Sequence, residues 1–266
     1  MIEATVNYLA PMAERPTYYF SEPPAGRPWR NTKGDRHEMP IHDGRRLTPP
    51  PALDREGFVL VPIAPIADDV ADPAVVRNRC YPAVEQLVAT HTGAERVLAF
   101  DHNVRCAARQ GRGDDGVQGP VRYAHNDYTE HSAPQRVRDL LVAADADARL
   151  RRRFAVINFW APLRRPVHNA PLAVCDAQTI QPADLVPTDL HYADRLGEVY
   201  SLRFSPDHRW YYFPTMRADE AMLLKCFDSD PARARFTAHT AFDDPTSPAD
   251  APPRESIEVR TLAFFG

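Results

Sequence analysis

From residue 154 onward the sequence breaks into short apolar runs parted by Pro-, Asp- and Asn-containing turns. The runs are "FAVINFWAPL" (154–163), "PLAVCDAQTI" (171–180), "GEVYSLRFS" (197–205) and "RWYYFPTM" (209–216), then "EAMLLKCFDS" (220–229), "RFTAHTAF" (235–242) and "SIEVRTLAFF" (256–265). Runs of this length and spacing read as strands, and a series of them predicts a β-sandwich or jelly roll. Proline strengthens the constraint. The chain carries 27 prolines against 11 glycines, about twice the usual proline share. Each proline removes a backbone donor and resists the helix interior, so long helices are disfavoured.

Upstream of that region, "GFVLVPI" (57–63) and "RVLAFDHNVRCA" (96–107) also read as strands. Residues 68–94 form the best helix candidate, with apolar residues at Val75, Val76, Cys80, Val84, Leu87 and Val88 and a stop at Gly93. A second helical stretch is predicted over 136–153. Residues 1–60 are rich in proline and arginine and show little periodicity. The expected fold is mainly β with flanking helices (α+β): a double-stranded β-helix, jelly-roll or cupin-like, with an irregular N-terminal extension. The expected organisation is one domain over 1–266, with 1–95 an arm and flanking helix and 96–266 the β-helix core.

A net charge of −4 gives no overall basic field, so nucleic acid is not an expected partner. The N-terminus lacks the basic and apolar regions of a secretory signal, and no apolar run is long enough to span a bilayer. The expected location is the cytoplasm, with a small-molecule substrate and no membrane partner. Cys80, Cys106, Cys175 and Cys226 form no CxxC pair and read as free, buried thiols.

The stretch "VRYAHNDYTEHSAP" (121–134) sets His125 and Asp127 one residue apart. On a strand, side chains alternate with period two, so the pair shares one face. Two histidines and a carboxylate on one side of iron(II) leave open positions for dioxygen chemistry. Two histidines downstream compete for the third place. His239 lies in the penultimate strand, and His208 lies at a strand junction; a double-stranded helix favours His239. Further on, Arg254 and Ser256 stand two apart at the start of the last strand. An arginine there can hold a dicarboxylate through paired hydrogen bonds, with the serine adding another. Arg260 shares that face as a second candidate anchor. Asn158 and Trp160, and more distantly Tyr128, Tyr211, Tyr212, His102 and Arg105, are candidates for lining the pocket.

Taken in order, these features resemble the iron(II)/2-oxoglutarate oxygenases, and within them the AsaB-like, gibberellin-desaturase-like and CmcJ-like hydroxylase/desaturase family. The resemblance runs through "VNYLAP" (6–11), "LDREGFVLV" (53–61), "FDHNVR" (100–105) and "AHNDYT" (124–129). It continues in "INFWAPLRRPVHNAPLAVCDAQTI" (157–180), "HRWYYFPTMRADEAMLLKCFDS" (208–229), "AHTAFDDP" (238–245) and "RESIEVRTLAFF" (254–265). It implies a double-stranded β-helix and Fe(II), 2-oxoglutarate and O2 as cofactor and co-substrates. His125, Asp127 and His239 would be the metal and catalytic residues, and Arg254, Ser256, Arg260 and Asn158 the co-substrate contacts. Two positions depart from the pattern: Ala161 stands where an arginine is expected, and Glu255 follows Arg254.

The implied reaction is hydroxylation, desaturation or oxidative cyclisation of a small molecule in secondary metabolism. Arg122, Arg164, Arg165, His168, Arg203 and Arg209 near the expected mouth suggest a carboxylated or amino-acid-derived substrate. Two other functions fit a jelly roll: a non-catalytic small-molecule-binding protein, and a cupin-type metal-dependent hydrolase or isomerase. The intact His125, Asp127 and His239 set argues against the first, and the second would not need Arg254.

Overall fold

The computed structural model describes residues 1–66, 70–106 and 117–266. Strands dominate and pair into two sheets. The six-stranded sheet runs in the order β4 (Phe58–Pro62), β13 (Glu220–Asp228), β8 (Phe154–Pro162), β15 (Ser256–Phe264), β5 (Arg96–Arg105) and β6 (Val117–Gln118). The nine-stranded sheet begins with β1 (Ile2–Leu9), β3 (Gly34–Asp43), β12 (Trp210–Tyr212) and β9 (Leu172–Cys175). It continues through β14 (His239–Ala241), β7 (His125–Asn126), β11 (Leu196–Leu202), β10 (Leu185–His191) and β2 (Thr17–Tyr19).

Strand β8 shows how the layers stack. Every residue in it is buried, because both faces of the six-stranded sheet are covered. Ala155, Ile157, Phe159 and Ala161 point one way, into a cluster with Val76, Val84 and Val88. Trp160 points the other way and meets Leu172, Val174 and Tyr211 of the nine-stranded sheet. The two sheets therefore face each other as a jelly roll. A polar side chain on the inner face of β8, such as Asn158, lands between them.

The helical cover is more segmented than the sequence suggests. Asp72 caps α1 (Pro73–Val75), a π-helical turn spans Val76–Cys80, and α2 (Tyr81–Thr92) ends at Gly93 with φ +71°. Glycine carries no penalty in this left-handed conformation. The start of the predicted helix, 68–69, lies outside the described residues. The stretch predicted as one helix over 136–153 is two, α3 (Ser132–Leu140) and α4 (Ala143–Leu150). The chain turns extended at Leu141, whose side chain packs against the cluster of Phe154, Val156 and Leu262.

The larger correction concerns the first 60 residues, expected to be irregular. β1 and β3 form an eight-residue antiparallel ladder, from Ile2 opposite Ile41 to Leu9 opposite Gly34. Ala4, Val6 and Tyr8 alternate into the core beside Met39 and Ile41. Exposed charges on β3 and neighbouring prolines hide this period. β10 was also not predicted; Pro187 sits within it. Among the described residues, no helix is long and apolar enough to cross a membrane.

Candidate metal centre

Strand pairing assembles the centre. β7 lies between β11 and β14, and its register sets His239 directly opposite His125. Their ring centroids are 4.5 Å apart. Asp127 follows two residues after His125, and one ligand atom from each of His125, Asp127 and His239 falls within 4.8 Å of the others. Among the described residues these three are the only such group.

Each ring is oriented by its other nitrogen. His125 Nδ1–H donates to the Tyr123 carbonyl at 2.7 Å, and His239 Nδ1–H donates to the Thr237 carbonyl at 3.1 Å. A carbonyl only accepts, so a proton sits on Nδ1 and Nε2 is the nitrogen each ring can offer to a metal. Burial lowers the pKa of His239, and the neighbouring His125 adds to the effect. The ring is thus kept neutral, the form a metal needs.

Asp127 Oδ1 lies 3.4 Å from His125 Nε2. Its Oδ2 accepts from Asn158 Nδ2 at 2.7 Å and from Arg260 Nε at 3.1 Å. Burial opposes ionisation, but the Arg260 guanidinium outweighs it and holds the carboxyl well below the usual carboxylate range. The turn that carries Asp127 is braced by Asn126, whose Nδ2 donates to the carbonyls of Tyr128 and Cys226.

A second group faces the same chamber. Arg105, Trp160, Leu172, Arg254 and Glu258 line it with His125 and His239. Arg254 is 4% exposed. Its Nη1 donates to the Ala170 carbonyl, and its guanidinium lies 5.4 Å over the Trp160 ring. Ala170 adopts φ +47°, in the left-handed region. No carboxylate among the described residues pairs with Arg254, and its Nε and the Ser256 Oγ lack hydrogen-bond partners. Burial, reinforced by Arg105 and opposed by Glu258, pushes the Arg254 pKa down to about 9. An unpaired buried cation is costly unless an anion joins it.

The remaining candidates separate. Arg260 shares the inner face with Arg254 and Ser256, but it is engaged with Asp127, Asp101 (2.8 Å) and Glu258 (2.8 Å). Asn158, also expected at the co-substrate, donates to Asp127. His208, the competing ligand, is buried against Tyr8 and Asp184, away from the group. His102 turns outward to bond Tyr81 at 2.9 Å, whereas Arg105 reaches the chamber. Tyr211 and Tyr212 belong to apolar clusters. Ala161 is buried on the helix-facing side of β8, so the missing arginine takes nothing from the inner face of that strand.

Of the six basic groups expected at the mouth, none lines the chamber; Arg122 pairs with Asp243 at 2.7 Å and Arg209 with Asp176 at 2.9 Å. Glu258 was missed, although the alternation that marks Arg254, Ser256 and Arg260 passes through it.

Comparison with known proteins agrees with this geometry. A protein-family profile described as "Oxidoreductase/YMDC permease-like domain" matches residues 6–264. The chain is 35% identical over 257 residues to the Fe(II)/2-oxoglutarate-dependent dioxygenase nvfI of Aspergillus novofumigatus, covering 94% of this chain and 91% of that one. It is 32% identical to the hydroxylase/desaturase efuI of Hormonema carpetanum, covering 80% and 79%. Among solved structures, the iron and alpha-ketoglutarate-dependent endoperoxidase NvfI superposes with a TM-score of 0.88 at 32% identity, over 100% of this chain and 98% of the other. This full-length likeness shows that the chain belongs to the Fe(II)/2-oxoglutarate-dependent dioxygenase family, with the jelly-roll fold of its relatives, and the cluster of His125, Asp127 and His239 agrees with it.

Proposed function

We propose that His125, Asp127 and His239 hold iron(II), and that Arg254 and Ser256 hold the distal carboxylate of 2-oxoglutarate. The single observation carrying this reading is Arg254. It is a buried cation with no carboxylate partner among the described residues, beside an unpaired Ser256 hydroxyl, in the chamber lined by both histidines. The donor set fits the group: two imidazoles and one carboxylate, each fixed by a second contact. Bound iron(II) supplies dioxygen activation coupled to conversion of 2-oxoglutarate into succinate and CO2. The residues of the chain orient the co-substrate, shelter the site and position the substrate. The relatives carry names of a hydroxylase/desaturase and an endoperoxidase, so the outcome here is hydroxylation, desaturation or oxidative cyclisation of a small molecule.

The substrate site is a cleft of about 370 Å³ that reaches Asp127, Tyr128, Gln135, Tyr192 and Arg260, a size suited to a small molecule. Several of its cations are already paired: half-exposed Arg15 with Asp189 and Glu198, Arg136 with Asp139, and buried Arg260 with Asp127 and Asp101. Arg195 stands at the exposed rim, over the Tyr192 ring. This balance favours recognition through neutral hydrogen-bonding groups over the carboxylate anchor expected from the sequence. The whole chain serves as one catalytic domain, since β1 and β3 extend the sheet that carries both histidines. Four buried free cysteines suit the cytoplasm, where thiols stay reduced.

The test is anaerobic iron content together with substrate-independent release of succinate from 2-oxoglutarate. Wild type should bind one iron and release succinate, and His125→Ala and His239→Ala should do neither. Protein that binds no iron would be a binding module. Protein that binds metal but not 2-oxoglutarate would be a hydrolase or isomerase.

A further inference from the structure

Resting on that reading of the metal site, we propose that Arg260 and Asn158 are positioning residues that make Asp127 a one-oxygen metal ligand. Neither is a co-substrate contact. The argument starts from the carboxylate. Each of its oxygens offers about two acceptor positions. Asp127 Oδ2 uses both, accepting from Asn158 at 2.7 Å and from Arg260 at 3.1 Å. Oδ1 is left facing His125 Nε2 at 3.4 Å. A metal bound through both oxygens would have to displace one of these donors and strand it in a sheltered site, where an unmade hydrogen bond is costly.

The clamp is held from both sides. Arg260 on β15 lies directly across from Asn158 on β8 and from Asp101 on β5. The ladder shifts register immediately afterwards, between Arg260 and Thr261. Nη1 of Arg260 donates to Asp101 at 2.8 Å, and Nη2 lies 2.8 Å from Glu258. Three carboxylates thus fix one guanidinium, and neighbouring strands set the distance between the two donors. A guanidinium already occupied in this way is a poor anchor for another carboxylate, whereas Arg254 nearby has no carboxylate partner among the described residues.

The consequence is coordinative. One oxygen from Asp127 and one nitrogen from each histidine would hold the metal, and a carboxylate limited to one oxygen would leave more room on the ion for co-substrate and dioxygen than a carboxylate bound through both.

The test titrates apo-protein with Co(II) alone, by calorimetry and by ligand-field absorption, for wild type, Asn158→Leu, Arg260→Leu and Arg260→Lys. Binding should weaken about 10- to 100-fold in both leucine variants, the range seen when outer-shell partners of a ligand are removed. Absorption should change as the coordination number rises, and Arg260→Lys should recover part of both. At saturating metal, 2-oxoglutarate affinity should change less than about threefold. Unchanged cobalt affinity and spectrum in Asn158→Leu overturn the clamp, as does Arg260→Leu that loses only 2-oxoglutarate binding. Should Arg260→Leu fail to fold, Asn158→Leu and Arg260→Lys decide alone. His125→Ala keeps the two readings apart: normal cobalt binding in that variant would remove the metal site itself.

Discussion

His239 lies directly across from His125 on the antiparallel strands β14 and β7, although 114 residues separate them in the chain. The same two-residue step links each ring to the carbonyl that orients it, Tyr123 for one and Thr237 for the other. The pair is thus symmetric in its local construction, and each member depends on backbone that other parts of the fold hold in place.

Arg254→Ala should leave metal binding intact and weaken 2-oxoglutarate. Losing a charge-assisted, two-point contact in a buried pocket costs about 2–4 kcal/mol, or roughly 30- to 1000-fold in affinity. Titration of the Mn(II)-loaded protein under argon measures this directly. Unchanged affinity would take the anchor away from Arg254.

Gly57→Ala should damage the centre from a distance. Gly57 has φ +89°, and a Cβ there would collide with the Thr237 hydroxyl. That hydroxyl donates to the Gly57 carbonyl, and the Thr237 carbonyl in turn orients His239. Strain at such a position costs about 1–3 kcal/mol, so the melting temperature should fall and metal affinity should fall with it. A variant that loses stability yet binds Co(II) normally would show that Thr237 does not transmit the shift.

His208 should make the apo-protein acid-sensitive. Burial pulls its pKa below the ordinary value, although Asp184 at 3.2 Å pulls it back up. Burial prevails, since Nδ1 is enclosed without a partner and charging it would be unfavourable. A base with a depressed folded pKa contributes stability above its unfolded pKa, about 6.5, and loses that contribution as pH falls through its folded pKa. Melting curves between pH 7.5 and 5.5 should therefore slope downward with acid, and His208→Phe should flatten the slope. An unchanged slope would assign the acid sensitivity to other groups. Cobalt binding should be the same in both proteins.

Substrate charge provides a fourth check. Because Arg15 and Arg260 are already paired, amides or esters of candidate substrates should stimulate oxygen uptake as well as the free acids do. A strong preference for the acids, abolished by Arg195→Ala, would instead make the rim arginine an anchor.

Much of this site was legible before folding. Period-two alternation puts His125 with Asp127, and Arg254 with Ser256 and Arg260, on common faces wherever those segments are strands. The turn-punctuated apolar runs after residue 154 specify a double sheet, and β8, apolar but for Asn158, has the composition of a strand covered on both sides. The β1–β3 ladder was less visible, since only one face of it is apolar and charges occupy the other.

Chain order leaves two choices open, and pairing across the fold makes both. His208 and His239 are equivalent as residue types, but the β7–β14 register brings one to His125 while the other is stacked on Tyr8. Arg254 and Arg260 share a face and a charge, yet Asp127, Asp101 and Glu258 converge on Arg260, while no carboxylate among the described residues pairs with Arg254. Local sequence sets which way a side chain points, because that depends on the backbone of its own strand. What the side chain meets depends on strands more than a hundred residues away, and their register is set by the packing of the two sheets as a whole.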